Sequence, residues 1–144
     1  MRIVVIESRY RAHTKFELRR NLAYARALVE HVTMRGDSPV ASHLLITQSL
    51  DDRDPEQRKR GIEAGLALLR VADVHAFGID LGVSDGMRGA MVRAKESVDW
   101  GKLYEEISLP EWATAMSTDH KTRDGFDALE SLIRRYAPKW HVHE

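Results

Sequence analysis

The chain has 144 residues, 43% hydrophobic and 31% charged, which suits one globular domain with a buried core. Its 22 basic and 22 acidic residues leave no net charge, so we expect a small-molecule ligand rather than nucleic acid or a membrane surface. The absence of cysteine excludes disulfides, thiolate metal sites and cysteine nucleophiles. No apolar run approaches the roughly 18 residues of a membrane span and no signal-peptide pattern is present, so we expect a cytoplasmic protein.

Strand and helix patterns alternate along the first two thirds of the chain. Residues 2–7 are a short β-branched run, typical of a strand that is buried on both faces. Apolar residues at helical spacing then predict a long helix from about Lys15 to Arg35. A second strand is predicted at residues 39–46 and a third at 73–79. The third strand leads through a turn at Ser84 into a helix that ends near Glu96.

Between the second and third strands the sequence predicts another helix. Asp54 has the chemistry of an N-cap, and Pro55 fits the first helical position, where its missing N–H costs nothing. Ile62, Leu66 and Leu69 recur at helical spacing and mark the predicted buried face of this helix.

The C-terminal third predicts an edge strand at 103–109, a short helix around Trp112 and an amphipathic helix at 123–136 that Pro138 ends. Strands that alternate with helices indicate a single α/β domain over residues 1–144, with a Rossmann-like or flavodoxin-like parallel sheet flanked by helices. Ligands of such sheets bind at the carboxyl ends of the strands. We therefore expect residues that follow the strands to line one crevice, and these are Ser8, His43, Asp80, Ser84 and Ala90.

The turn at Ser84 has the features of an anion site. Ser84 is the predicted N-cap of the following helix, so it lies beside unpaired backbone N–H groups at the positive end of the helix dipole. A phosphate fits such a position. Simple capping without a ligand is the alternative, because serine is favoured at helix starts in general.

The order of several short motifs resembles that of the nucleoside 2-deoxyribosyltransferase-like superfamily, over roughly residues 1–96. The matching stretches are Ser8-Arg9-Tyr10-Arg11, Asn21, Tyr24-Ala25, residues 39–44, residues 54–58 and residues 82–87. The superfamily includes deoxyribosyltransferases and deoxynucleoside monophosphate N-glycosidases. The resemblance implies an enzyme that acts on the N-glycosidic bond of a deoxynucleoside or its monophosphate, without a cofactor. Homodimers are usual in that family, and residues 97–144, with Trp112 and Trp140, would form an extension suited to such an interface.

In the resembled family a glutamate attacks the anomeric carbon of deoxyribose and forms a glycosyl-enzyme ester. The matching position, six residues after Ser84, is Ala90 in this chain. Three interpretations stay open: ordinary packing, a deliberate glutamate-to-alanine variant that traps a ligand, and natural loss of the nucleophile. The resemblance thus implies a glycosidase or transferase fold that, with alanine at this position, binds without turnover. The rival hypothesis is a catalytically silent protein that binds or sequesters nucleotides.

The resemblance assigns further roles, each with a plainer alternative. Ser84 would contact the 5'-phosphate, and His43 would be the pocket histidine unless it is only structural. Glu63 would take the place of the acidic residue that orients or protonates the leaving base, or it would belong to a solvated helix face. Asp80 would hydrogen-bond a deoxyribose hydroxyl, or it would be a turn aspartate that binds backbone.

The remaining predicted substrate contacts lie in the same loops. Arg9 and Arg11 suit a phosphate, although flanking arginines are often solvated, and Tyr10 suits stacking on a base or covering the edge of the core. The predicted binding set is completed by Gly82, Gly86 and Met87. His141 and His143 lack a third ligand, so no metal site is predicted.

Overall fold

The computed structural model describes residues 1–119 and 121–138. Within these residues, four strands pair in parallel in one sheet, in the order β2-β1-β3-β4. The strands are β1 (Ile3–Glu7), β2 (Ser38–Ala41), β3 (Val74–Gly78) and β4 (Leu103–Ile107). The helices are α1 (Lys15–Met34), α2 (Pro55–Val71), α3 (Asp85–Ser97), α4 (Pro110–Ser117) and α5 (Arg123–Arg135). The predicted α/β architecture is confirmed.

The strand order has a reversal at the centre of the sheet. From β1 the chain moves outward to β2, then crosses back to β3 and continues to β4 at the other edge. This is the order found in flavodoxin-like doubly wound sheets, whose ligands bind outside the carboxyl ends of the strands where the order reverses. We therefore expect a ligand site at the carboxyl ends of β1 and β3.

The larger hydrophobic core lies on the face of the sheet that α1, α4 and α5 cover. Tyr24 of α1 and Trp112 of α4 are fully buried there, with ring centroids 5.2 Å apart. Gly78, at the end of β3, permits this close packing, because a Cβ at that position would overlap the side chain of Leu28. The predicted edge strand, the helix around Trp112 and the last amphipathic helix are confirmed as β4, α4 and α5.

The opposite face, covered by α2 and α3, is packed more loosely. A small buried cluster joins Phe77 of β3 to α3, but the predicted buried face of α2 is wrong. Ile62 is 54% exposed and Leu66 is 41% exposed. A cavity of about 380 Å³, which Leu66, Leu69 and His75 help to line, separates α2 from the sheet and α3. The apolar stripe on α2 is present as predicted, but few side chains of the described residues pack against it.

The second strand is shorter than the sequence predicts. It ends at Ala41, and residues 42–44 form a 3₁₀ turn. The carbonyl of Ser42 accepts the N–H groups of Leu45 (3.1 Å) and Ile46 (2.9 Å), so these residues bond locally instead of extending the sheet. This turn brings His43 over the end of β1.

The predicted helix starts are confirmed. Asp54 Oδ1 accepts the N–H of Glu56 at 2.9 Å, and Ser84 Oγ accepts the N–H of Met87 at 3.3 Å.

Among the described residues, no helix has both the length and the apolar character needed to cross a lipid bilayer. Trp140, His141 and His143 lie outside the described residues.

Candidate functional site

A cavity of about 530 Å³ opens at the carboxyl ends of β1 and β3, where the strand order reverses. Its wall is built from the loop after β1, the 3₁₀ turn after β2 and the first turns of α2 and α3. Such a position is where ligands of this fold class bind. The lining residues are Glu7, Ser8, Tyr10, Arg11, His43, Arg58, Ser84, Asp85, Gly86 and Met87.

The structure brings many of the residues predicted from the sequence to this one cavity. Loops that follow three different strands meet here, as the strand-end argument predicted. The predicted residues on its wall are Ser8, Tyr10, Arg11, His43, Ser84, Gly86 and Met87.

Ser8 and His43 form the most enclosed polar part of the cavity. The backbone N–H of Ser8 donates to Nε2 of His43 at 3.1 Å, so the neutral ring carries its proton on Nδ1. Burial lowers the pKa of His43 and favours this neutral form. His43 Nδ1 and Ser8 Oγ are buried without a hydrogen-bond partner among the described residues. Unpaired buried polar atoms are costly, so this pair is suited to a polar ligand.

Two aromatic rings cover one side of the cavity. Tyr10 stacks on His43, with ring centroids 5.5 Å apart and an interplanar angle of 17°. Met87, which is 5% exposed, contributes an apolar side chain to the same wall. This combination offers a surface for a planar ring such as a nucleobase.

The start of α3 gives the cavity an electropositive end. The N–H groups of Met87 and Arg88 bond to Ser84, whereas those of Asp85 and Gly86 have no acceptor among the described residues. Free N–H groups and the positive end of the dipole favour an anion. The exposed side chains of Arg11 and Arg58 add two cations to the wall.

A carboxylate that the sequence analysis missed also lines this cavity. Glu7 is the last residue of β1, and its Oε2 lies 3.0 Å from Nε2 of the buried His75. The strand-end argument that selected Ser8 applies equally to Glu7, so the signal was present. Arg58 and Asp85 were missed as well, since helix starts carry many charged residues that only cap or solvate.

Asp80 is not on the cavity wall, which corrects its predicted place in the crevice. Its carboxylate accepts hydrogen bonds from the Tyr24 hydroxyl at 2.7 Å, the Ser108 hydroxyl at 2.6 Å and the Leu109 N–H at 2.8 Å. Asp80 is therefore a turn aspartate that binds backbone and neighbouring hydroxyl groups, and its carboxylate does not face the cavity. Gly82 lies in the same loop with φ +84°, a backbone conformation that favours glycine.

Arg9 also lies away from the cavity wall. Its guanidinium is directed toward Gly82, with Nη2 3.7 Å from where a Cβ of that glycine would be. Its Nε is buried and has no partner among the described residues. Arg9 thus contacts the loop after β3, whereas the neighbouring Arg11 faces the cavity.

Ala90 and Glu63 do not reach the cavity either. Ala90 is 5% exposed and packs in an apolar cluster with Phe77, Met87 and Ala94, which corrects its predicted place on the crevice wall. This burial agrees with ordinary packing. Glu63 is exposed on α2, as expected of a solvated helix face.

The extent of the family match coincides with the elements that build the cavity. A family model described as a domain of unknown function, DUF7768, matches residues 2–99. The chain belongs to the DUF7768 family. The DUF7768 segment runs from β1 through α3, so it contains every residue of the cavity wall, while β4, α4 and α5 follow it. No curated protein and no solved structure matches the chain.

Proposed function

We propose that the chain binds a deoxynucleoside monophosphate in the cavity at the ends of β1 and β3. We further propose that it acts on the N-glycosidic bond of that nucleotide, as an N-glycosidase or deoxyribosyltransferase without a cofactor. The observation that carries the proposal is the convergence of an electropositive helix start and a stacked aromatic pair in one cavity of about 530 Å³. The resemblance to the nucleoside 2-deoxyribosyltransferase-like superfamily supports the choice of ligand.

In the proposed complex each part of the nucleotide meets matching chemistry. The phosphate lies at the start of α3, where it accepts the N–H groups of Asp85 and Gly86 and pairs with Arg11 and Arg58. The base lies against Tyr10, near the unpaired Nδ1–H of His43. No global charge is needed for this selectivity, because Arg11, Arg58 and the start of α3 all line the one cavity.

Calorimetry with a deoxynucleoside monophosphate and its parent nucleoside tests the binding proposal. Charge-assisted hydrogen bonds contribute about 1.5 to 3 kcal/mol each, so the monophosphate should bind at least roughly tenfold more tightly. Arg11→Ala and Arg58→Ala should each reduce that preference. Arg60→Ala is the matched control, because Arg60 lies on the same helix and pairs with Glu56 at 3.0 Å. Equal affinities for nucleoside and monophosphate would contradict the phosphate site.

The rival hypothesis, a protein that only sequesters nucleotides, is favoured by one observation. The position that matches the family nucleophile is a buried alanine, so Ala90 supplies no carboxylate to the cavity. One measurement distinguishes the two functions. The protein is incubated with each common deoxynucleoside monophosphate, and chromatography detects any free base that is released. Release of base supports the enzyme, and tight binding without release supports the sequestering protein.

A second copy of the chain is the proposed partner. Trp112, expected at such an interface, is buried in the core instead. Trp100 and Leu66 are exposed and line the apolar cavity between α2 and α3. A homodimer that buries this face would give α2 the packing that the single chain lacks. Sedimentation should show a dimer that Trp100→Glu dissociates without unfolding, whereas a monomeric parent protein would contradict the proposed homodimer.

The proposed location is the cytoplasm, which the absence of cysteine supports.

A further inference from the structure

We propose that Glu7 is the catalytic carboxylate of this cavity and that it acts as the general base for a water molecule that attacks the anomeric carbon. The inference rests on the proposed function, because it assigns the reacting group of the same site. It also goes beyond the resemblance, which implies a nucleophile at the position of Ala90.

The position of Glu7 is suited to chemistry on a ligand in the cavity. It ends β1, a central strand, and its neighbour in the register of β3 is Phe77. Two carboxylates from the described residues line the cavity, Glu7 and Asp85. The Asp85 side chain is 100% exposed and pairs with Arg88, whereas that of Glu7 is only 24% exposed. Glu7 is therefore the carboxylate that a bound ligand would shield from bulk water.

A buried histidine holds Glu7 in place. An ionised carboxylate only accepts hydrogen bonds, so the 3.0 Å contact requires that His75 Nε2 donates to Glu7 Oε2. His75 is itself fixed, since it is 7% exposed and its ring lies 4.4 Å from that of Phe77. Within the described residues no hydrogen bond engages Oε1, which leaves this oxygen available to take a proton. His75 is thus a positioning residue for Glu7.

The charge of Glu7 distinguishes the two candidate functions. A carboxylate opposes the binding of a phosphate in the same cavity, because like charges repel. A protein that only sequesters nucleotides has no catalytic use for such a group, whereas most enzymes that hydrolyse glycosidic bonds use one. The presence of Glu7 in the same cavity as the proposed phosphate site therefore favours catalysis.

The proposed step is balanced as follows. The water oxygen bonds to the anomeric carbon while one of its protons moves to Glu7 Oε1. The bond between that carbon and the base nitrogen breaks, and its electron pair leaves with the base. The departing base takes a proton from solvent water, and Glu7 returns its own proton to solvent. The products are deoxyribose 5-phosphate and free base, and no covalent intermediate is needed.

Glu7→Gln tests the assignment directly. The glutamine keeps the shape of the side chain and still accepts from His75, but it cannot take a proton from water. Base release should fall about 100-fold or more, the usual contribution of a general base. The affinity for the monophosphate should stay the same or increase, because a negative charge has been removed. Glu96→Gln is the control, since Glu96 is exposed on α3 away from the cavity wall and its loss should change neither quantity.

The possible outcomes separate this inference from the proposed function. Equal base release by Glu7→Gln and the parent protein would overturn the role of Glu7 and leave the glycosidase intact. A parallel loss of release, affinity and melting temperature would show a structural role, which also overturns the inference. Binding without release by the parent protein would overturn both the glycosidase and the role of Glu7. Glu7→Asp, which keeps the carboxylate but shortens it, should bind normally and release base more slowly than the parent.

Discussion

Tyr24 and Asp80 are joined by two hydrogen bonds. The Tyr24 hydroxyl donates to Asp80 Oδ2 at 2.7 Å and accepts the backbone N–H of Asp80 at 3.0 Å. Asp80 also accepts from the Ser108 hydroxyl and the Leu109 N–H, so the pair connects α1, the loop after β3 and the segment before α4. Burial, together with the hydrogen bond to Asp80, raises the pKa of Tyr24 and keeps its phenol protonated as a donor.

Removing the Tyr24 hydroxyl should destabilise the fold. In Tyr24→Phe the backbone N–H of Asp80 loses its acceptor in a part-buried place, so the free energy of unfolding should fall by about 1 to 3 kcal/mol. Urea denaturation measures this change. Tyr136→Phe is the control, since its hydroxyl contacts Glu30 at 3.2 Å at the surface and should matter by less than about 0.5 kcal/mol. Equal effects of the two substitutions would contradict this account of the Tyr24 pair.

Asp37 should make the stability of the protein depend on pH in the acid range. Hydrogen bonds from Arg2 at 2.7 Å and Arg35 at 3.0 Å lower the pKa of Asp37 from 3.8 to about 2. Because the folded pKa lies below the unfolded one, this stabilisation is fully present above about pH 4 and is lost as the pH falls toward about 2. The melting temperature of Asp37→Asn should lie below that of the parent at pH 6 and approach it near pH 2. A gap that is constant with pH would exclude this ion pair as its cause.

His43 should add a second dependence on pH, closer to neutrality. Burial lowers its pKa below 6.5, so folding favours the neutral ring. Its contribution to stability is therefore fully present above pH 6.5 and is lost as the pH falls from 6.5 to the lower folded pKa. His43→Gln, which does not titrate but still offers an oxygen to the Ser8 N–H, should flatten the change in melting temperature between about pH 7.5 and 5.5. A profile of His43→Gln as steep as that of the parent would contradict this role of His43.

The fold was largely predictable because the local signals and the tertiary structure agree. The β-branched run of β1 and the caps at Asp54 and Ser84 each specify an element without help from the rest of the chain. The buried face of α2 was not predictable, because an apolar stripe at helical spacing does not reveal what covers it. Ile62 has the pattern of a core residue and is nevertheless 54% exposed.

The location of the candidate site was predictable, but its chemistry was not. The rule that loops meet at strand ends found Ser8, His43 and Ser84. It did not distinguish Asp80 from Glu7, since both are acidic residues at the end of a central strand. Their roles depend on partners that are distant in sequence: Tyr24 engages Asp80, and His75 holds Glu7 at the cavity.

Ala90→Glu tests whether position 90 is a packing position or an altered catalytic one. Because Ala90 is 5% exposed beside Phe77 and Met87, a glutamate would bury a carboxylate in an apolar cluster. We expect the free energy of unfolding to fall by about 3 kcal/mol or more, with no gain in base release. Gly89→Glu is the matched control, since a side chain there meets Arg93 at the helix surface, with Nη1 3.5 Å from the Cβ position. Normal stability with faster base release in Ala90→Glu would show instead that a carboxylate at this position reaches the cavity, as the resemblance implies.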